Sequence, residues 1–277
     1  MKKKITALHL DEYKAKGTRS WELIVRDEHK RLLFSFRLKE RSGRQIQAVL
    51  RWLRIWGVRD ITTCYVDFFS AYPSAIRAVY PHAEIQYDFF HVVQNIHRHL
   101  YKALTTYRKA FKATVSAPDQ QKIREALHKK LWENRYLLFT NDENLSTQQS
   151  QVLDELLVEH ADTIVEQIVL FRQCLRGVLH ESETFQQAVD RFAALILEGW
   201  RDVSDAFGKV MTFLEDHLEN ILTYLRVPDV QRHSLSECTV RGLRRIETIR
   251  QGFKTQHGRV THLKLLVWRR YLRPVNP

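Results

Sequence analysis

Two aspartates, Asp11 and Asp67, each come at the end of an apolar, strand-like segment, where their carboxylates could bind a cation. The segment ITALHLDE reads as a strand ending at Asp11, and DITTCYVD reads as a strand ending at Asp67. If these strands are neighbours, their carboxylates lie close together, and their mutual repulsion favours a shared cation. Mg²⁺ commonly binds one or two carboxylates together with substrate phosphates. The pattern predicts a divalent metal between the two; the alternative is that each aspartate is a helix cap or turn residue.

A third carboxylate, Glu237, lies in a predicted helix near the end of the chain. At 100° per residue, Glu237 shares a face with Arg241 and Arg244. The pairing of Glu237 with Arg241 could instead be simple helix support. Three carboxylates holding two metal ions about 4 Å apart can activate water or a 3′-hydroxyl and stabilise a leaving oxygen. Phosphodiester cleavage and strand transfer both use this arrangement.

The chain is strongly basic, which favours a polyanionic partner such as nucleic acid. Its 277 residues carry 44 Lys and Arg against 32 Asp and Glu, a net charge of +12. A hydrophobic share of 44% excludes a disordered protein, and no apolar run is long enough to span a membrane. The candidate DNA-binding residues are Lys14, Lys16, Arg19, Arg232, His233, Arg241, Arg244, Arg245, Arg250 and Lys254.

The pattern of elements changes after the first ninety residues. Up to that point the order is β-β-β-α-β-α-β, and the three residues Glu28-His29-Lys30 predict a hairpin between the second and third strands. The hairpin and a short crossover helix permit the strand order 3-2-1-4-5. From about residue 89 to 228 the apolar spacing is almost wholly helical. An α/β body interrupted by helices is therefore predicted.

Four ordered motifs resemble the ISL3-type insertion-sequence transposases. They are LHLDEYKAKG, YVDFFSAYPSAIRAVYPHAEIQYDFFHVVQNI, RYLLFTNDENLSTQQSQVLDELL and SECTVRGLRRIETIRQGFKT. The resemblance runs over about residues 8–268. It implies an RNase H-like core with a mixed five-stranded sheet, and a large all-helical insertion between strand five and a C-terminal catalytic helix. The expected divisions are core residues 1–90, insertion residues 91–228 and core residues 229–277.

The resemblance assigns a D-D-E triad residue by residue. The first aspartate is Asp11 in DE, the second is Asp67 in VDFF, and the glutamate is Glu237 in SE. Together they would hold two Mg²⁺ or Mn²⁺ ions. Glu12, Asp88 and His91 are candidates for a supporting role around that site.

The implied activity is that of a DNA transposase, cutting at element ends and joining them to target DNA. The expected partners are DNA and a second copy of the chain in a synaptic complex, in the cytoplasm and without a membrane. The usual N-terminal zinc ribbon and helix-turn-helix region is expected to be absent, because the three cysteines are too far apart for a ribbon. The alternatives are a domesticated remnant that only binds DNA and another RNase H-like nuclease, such as a junction resolvase.

Overall fold

The computed structural model describes residues 5–14, 21–29, 32–113 and 118–233, together with Gly258 and Thr261. Five strands lie within this part of the chain: β1 (Ala7–Lys14), β2 (Trp21–Asp27), β3 (Leu32–Leu38), β4 (Thr63–Val66) and β5 (Glu84–Tyr87). Its α-helices are α1 (Gly43–Ile55), α2 (Ala71–Arg77), α3 (Phe89–Ala113), α4 (Pro118–Asn134), α5 (Thr147–Glu159), α6 (Ile164–Leu179), α7 (Phe185–Leu197), α8 (Trp200–Val203), α9 (Asp205–Ile221) and α10 (Thr223–Arg226).

The strands form one mixed sheet in the order β3-β2-β1-β4-β5, which confirms the predicted order. β1 pairs antiparallel with β2, and β2 pairs antiparallel with β3, as expected for a hairpin. β4 pairs in parallel with both β1 and β5. The central strands are buried along nearly their whole length, as is usual when both faces of a sheet are covered.

The prediction that the first strand ends at Asp11 is wrong. β1 continues to Lys14, because Glu12, Tyr13 and Lys14 each pair with a residue of β2. Antiparallel pairing with a long neighbour provides hydrogen-bond partners for the backbone of this polar stretch. The spacing of apolar side chains does not reveal such backbone pairing. Asp11 therefore lies within the strand, and Lys14 is the last residue of β1 instead of part of a turn.

Helices α1 and α2 meet at two small residues. A Cβ atom at Gly43 would lie 3.1 Å from the Cβ of Ala71, so a side chain at position 43 would require Ala71 to shift by a few tenths of an ångström. The buried face of α1 consists of Ile46, Val49, Leu50 and Leu53, at helical spacing. The contact joins the start of α1 to the start of α2.

Three consecutive helices, α5, α6 and α7, begin at capping side chains that the sequence shows. Ser146 caps α5 through a capping box, in which its side chain accepts from the Gln149 N–H and the Gln149 side chain accepts from the Ser146 N–H. Thr163 and Thr184 cap α6 and α7 in a similar way. No helix within the described ranges is long and apolar enough to cross a membrane.

The chain divides into two compact units. The sheet unit consists of Met1–Val92 and Glu219–Pro277, and the helical unit consists of Val93–Leu218. In the helical unit, Phe171, Trp200 and Phe207 pack ring against ring, with centroids 4.9 to 5.9 Å apart. In the sheet unit, the Gln86 side chain binds the chain around α10, accepting from the Tyr224 N–H and donating to the Ile221 carbonyl.

Candidate active site

Asp11 lies on the sheet face that it shares with His9 and Tyr65. Side chains alternate along a strand, so Asp11 is on the same face as His9. The His9 ring stacks on the ring of Tyr65 in the neighbouring parallel strand, with centroids 4.2 Å apart. The paired register aligns His9 with Tyr65, and two residues further along each chain come Asp11 and Asp67. The sheet thus brings both aspartates to the same end of two adjacent strands.

Asp67 directly follows β4, and both of its carboxylate oxygens have partners. Oδ1 accepts from the Phe69 N–H at 2.9 Å, an arrangement that turns the chain towards α2. Oδ2 accepts from Nη2 of Arg41 at 2.5 Å. Each carboxylate oxygen has a second lone pair, so these two contacts leave Asp67 able to bind a cation.

Arg41 bridges Asp67 and Glu12. Its guanidinium donates to Oε2 of Glu12 from Nε at 3.2 Å and from Nη2 at 3.0 Å. The same guanidinium lies over the Phe69 ring, 4.2 Å from the centroid. It also lies 5.5 Å from the centroid of the Trp21 ring, and because an aromatic face attracts a cation and restricts its orientation, Arg41 is held by two carboxylates and two rings.

The carboxylates around Arg41 shift the pKa values of their neighbours. Burial raises the pKa of Glu12, the charge of Asp67 raises it further, and Arg41 opposes both effects. Burial also raises the pKa of Tyr72 well above its usual value, with a further contribution from Glu12. Neither the Tyr72 hydroxyl nor Oε1 of Glu12 makes a hydrogen bond of normal geometry within the described residues, although the two groups interact electrostatically.

Asp88 and Phe89 connect β5 to α3 at the same edge of the sheet. The Asp88 N–H donates to the carbonyl of Val66, the residue before Asp67, at 2.8 Å. Oδ1 of Asp88 accepts from the Phe90 N–H at 3.1 Å, which is helix-capping geometry. Asp88 thus fixes the start of α3 beside the end of β4.

Residues 231–233 run along this part of the sheet unit. The Gln231 N–H donates to the Tyr65 hydroxyl at 2.8 Å, and the Arg232 carbonyl accepts from the Phe89 N–H at 3.1 Å. The His233 ring packs edge-on against Phe89, with centroids 5.7 Å apart. The last continuous part of the described chain therefore lies on the face that carries Tyr65.

The structure describes some of the other predicted site residues and not the rest. Lys14 is exposed at the end of β1, and the Arg232 guanidinium lies 4.5 Å from the centroid of the Tyr224 ring. His91, in the first turn of α3, packs against the Phe90 ring. The predictions that fall outside the described residues are Lys16, Arg19, Glu237, Arg241, Arg244, Arg245, Arg250 and Lys254.

The donor chemistry at the sheet edge suits a hard divalent cation. Among the described residues, no three His, Cys, Asp or Glu side chains form a group that could hold a metal ion. The described donors are carboxylates, the ligand type that Mg²⁺ and Mn²⁺ prefer. Glu12 also has a buried oxygen without a normal hydrogen bond, and it lies in the field of a second carboxylate. Glu12 and Asp67 share the single positive charge of Arg41, so the donor chemistry is compatible with a further cation.

Arg41 is the residue that sequence reasoning missed. It lies in the connection between β3 and α1, within the polar run KERSGR, where an arginine is unremarkable. Nothing in its spacing from Glu12 or Asp67 connects the three, because the contacts span 29 and 26 residues. Tyr72 carried a weak signal, as a buried aromatic residue five positions after Asp67.

The sheet order, with Asp11 within β1 and Asp67 directly after the adjacent parallel strand β4, defines an α/β protein and is consistent with the RNase H-like class. A family model described as a transposase, that of the ISL3-type DDE transposases, matches residues 8–257. The chain belongs to this family.

A curated relative is also named as a transposase. The chain is 30% identical over 155 residues to the transposase for insertion sequence element IS1001 from Bordetella parapertussis. The match covers 56% of this chain and 36% of that protein, so the chain spans about a third of the length of this relative.

Proposed function

We propose that this protein is a DNA transposase that cuts phosphodiester bonds at insertion-sequence ends and joins the ends to target DNA. The catalytic residues are Asp11, Asp67 and Glu237, and they hold two Mg²⁺ or Mn²⁺ ions. The observation that carries the proposal is the placement of Asp11 and Asp67 at the same end of adjacent parallel strands, in a chain of a transposase family.

The position of residues 231–233 supports the inclusion of Glu237. Glu237 is four positions after His233, a span of at most about 14 Å. His233 packs on Phe89, and the residue before Phe89 donates its N–H to Val66, next to Asp67. A connection this short is compatible with Glu237 joining the aspartates in one site.

The side chains of the site have separate roles in this mechanism. Asp11, Asp67 and Glu237 supply the carboxylate oxygens, and Arg41 orients Asp67 while balancing part of the charge of Glu12. When bound, the two ions activate water or a 3′-hydroxyl and stabilise the leaving oxygen. Glu12, Asp88 and His91 support the site from its edges.

The remaining expectations complete the proposal. The basic residues Lys14, Lys16, Arg19, Arg232, His233, Arg241, Arg244, Arg245, Arg250 and Lys254 contact DNA phosphates. The helices between β5 and the helix of Glu237 are an insertion into an RNase H-like core. Two copies act together on the two element ends.

The test is cleavage of labelled duplex DNA in the presence of Mn²⁺. We expect nicking by the wild type and a loss on the order of 10³-fold for both Asp67→Asn and Glu237→Gln, because removing a ligand charge raises the barrier by several kcal/mol. Asp60→Asn is the matched control, since Asp60 is an exposed aspartate of the same unit. It should cleave like the wild type.

Two results would contradict the proposal. If Asp67→Asn and Glu237→Gln retained wild-type cleavage, the triad would be wrong. If the wild type bound DNA but never cleaved it in Mg²⁺ or Mn²⁺, the domesticated, DNA-binding remnant would be the better interpretation.

A further inference from the structure

Helix α3 contains no acidic residue. Its 25 residues, FFHVVQNIHRHLYKALTTYRKAFKA, include five Lys and Arg and neither Asp nor Glu. Exposed helices usually mix both signs, because oppositely charged residues three or four positions apart stabilise the helix. α3 lacks that intrahelical compensation, so its charges point to a partner outside the helix.

Four of these cations form one stripe, which we call the α3 basic face: Arg98, Lys102, Lys109 and Lys112. At 100° per residue they fall within an arc of about 80°. All four are exposed, and the buried residues Ile96, Leu100 and Leu104 occupy the opposite side of the helix. The stripe runs for about 21 Å along the helix axis at 1.5 Å per residue.

The α3 basic face is only weakly compensated by carboxylates: the charge of Lys102 helps to lower the pKa of Asp205, but the ion pair of Asp205 is with Lys209. None of its four side chains forms a salt bridge with a carboxylate of the described residues, whereas Lys130 of α4 binds both Glu155 and Glu159. Burial lowers the pKa of His99, and the charges of Arg98 and Lys102 are among those that lower it further. This shift agrees with a positive field along the helix.

The charge along this part of the chain is strongly segregated. Residues 98–135, which include most of α3 and all of α4, carry ten Lys and Arg and three Asp and Glu. Residues 136–226, which include α5 to α9, carry six Lys and Arg and sixteen Asp and Glu. An excess of this size on one pair of helices favours a polyanion over random surface charge.

Part of the basic region is also held rigidly. The guanidinium of Arg108 lies 3.7 Å from the centroid of the Trp132 ring, and that of Arg135 lies 4.3 Å from it. Arg108 also donates to Nε2 of His128 at 2.9 Å. Positive groups fixed beside the stripe lose less side-chain entropy when they bind an anion.

We propose that the α3 basic face binds the phosphate backbone of double-stranded DNA. The charge is complementary, and a straight row of cations about 21 Å long covers several phosphates, which follow one another every 3.4 Å of helix axis per strand. Because lysine and arginine charges contact phosphates without reading bases, the binding is independent of sequence. The inference rests on the proposed function only in that DNA is the substrate.

The test is the salt dependence of binding to a fluorescein-labelled 30-base-pair duplex of arbitrary sequence, followed by fluorescence anisotropy. The full chain is compared with Lys102→Ala/Lys109→Ala/Lys112→Ala. We expect the dissociation constant at 0.1 M NaCl to rise at least about 10-fold. The slope of the log of the association constant against log [NaCl] should become less negative by about 3, because each phosphate contact contributes about −0.9.

A matched control separates this site from a general effect of net charge. Arg51→Ala/Arg59→Ala/Arg77→Ala removes the same number of exposed charges from the sheet unit, and it should leave the slope unchanged. Binding is measured without a divalent ion and scored separately from cleavage, so the binding site can fail or hold independently of the catalytic triad. Unchanged urea midpoints for all variants confirm that they are folded.

Three results would overturn the proposal. One is an unchanged slope in the triple lysine variant, and another is an equal loss in the control. The third is a wild-type chain without salt-dependent affinity for the duplex. If the lysine variant instead dissociated a dimer in sedimentation while keeping the wild-type slope, the partner would be the acidic helices of a second copy.

Discussion

In each unit of the protein a cationic side chain bridges two carboxylates, but the surroundings differ. In the sheet unit, Arg41 joins Glu12 and Asp67, and the Glu12 side chain is 0% exposed. In the helical unit, Lys130 joins Glu155 and Glu159 at 2.8 and 2.6 Å, and the Glu155 side chain is 47% exposed. Contact distances are similar and the two cations are about equally exposed, at 30% and 29%, so the buried Glu12 is what makes water screen the first bridge less than the second.

The other ionisable residues of the two units also differ in how deeply they are buried. In the described sheet unit, the buried ionisable residues include Asp11, Glu22, Arg26, Asp27 and Asp88. The helical unit keeps most of its charges at the surface and segregates them by sign. Buried charges need specific partners and so mark a place for chemistry, whereas exposed charges of one sign create a field that attracts a partner.

Removing Arg41 should have the largest effect. In Arg41→Ala, Glu12 and Asp67 lose their shared counter-ion, and we expect the free energy of unfolding to fall by about 3 kcal/mol. This figure is at the low end for a buried pair because the Arg41 side chain is 30% exposed. Urea denaturation measures it, with Arg51→Ala, an exposed arginine of α1, as the control.

A second substitution checks the cause of that loss. Glu12→Gln in the Arg41→Ala background should recover part of the stability, because it removes one of the two opposed charges. Addition of Mn²⁺ should also stabilise Arg41→Ala more than Arg51→Ala, since a divalent ion can replace the missing charge. Equal urea midpoints for Arg41→Ala and Arg51→Ala would show that the bridge contributes nothing.

His9 should make the sheet unit sensitive to mild acid. Burial, with a smaller contribution from the charge of Arg26, lowers the pKa of His9 from 6.5 to about 3. Between these values the unfolded chain binds a proton that the folded chain does not, so the free energy of unfolding falls as the pH decreases. From pH 6.5 to pH 5 this loss is about 1.5 kcal/mol for one histidine.

The variant His9→Phe retains an aromatic ring against Tyr65 and removes the titration. We expect its stability to decrease less than that of the wild type between pH 6.5 and pH 5, with the difference equal to the loss from His9. Urea unfolding at pH 5, 6.5 and 8 measures it. Parallel pH profiles for the two proteins would refute the assignment to His9.

Lys130→Ala should have the smallest effect. Its two ion pairs are exposed, and such pairs are weak because water and salt screen them. We expect the urea midpoint to move by less than roughly a third of the shift in Arg41→Ala, and 0.5 M NaCl should abolish the difference from wild type. A Lys130 effect as large as that of Arg41 would remove the contrast between the two units.

The sheet was predictable because its signals are local. The short polar stretch Glu28-His29-Lys30 predicts a hairpin, and the short helix between β4 and β5 predicts a parallel crossover, so the order β3-β2-β1-β4-β5 follows. The end of β1 was not predictable from periodicity, because Glu12 and Lys14 belong to the strand only through their pairing with β2.

The positions of Asp11 and Asp67 in the sheet were predictable, whereas the surroundings of Asp67 were not. Each aspartate was singled out because it belongs to or follows an apolar strand-like segment, and the confirmed strand order makes those two segments neighbours. Arg41 was missed because its role depends on two contacts that are distant in sequence. A buried counter-ion is visible in the sequence only as one more charged residue in a loop.

The close contact of Gly43 with Ala71 has a consequence for engineering this protein. Gly43 is two residues after Arg41, and Ala71 is four residues after Asp67, so one helix contact fixes the spacing between both ends of an ion pair. Replacing a helical glycine by alanine is a common way to raise thermal stability. At position 43 the added Cβ would lie 3.1 Å from the Cβ of Ala71, so Ala71 must shift by a few tenths of an ångström. A screen for heat-resistant variants should therefore not treat this glycine as a simple Gly→Ala site.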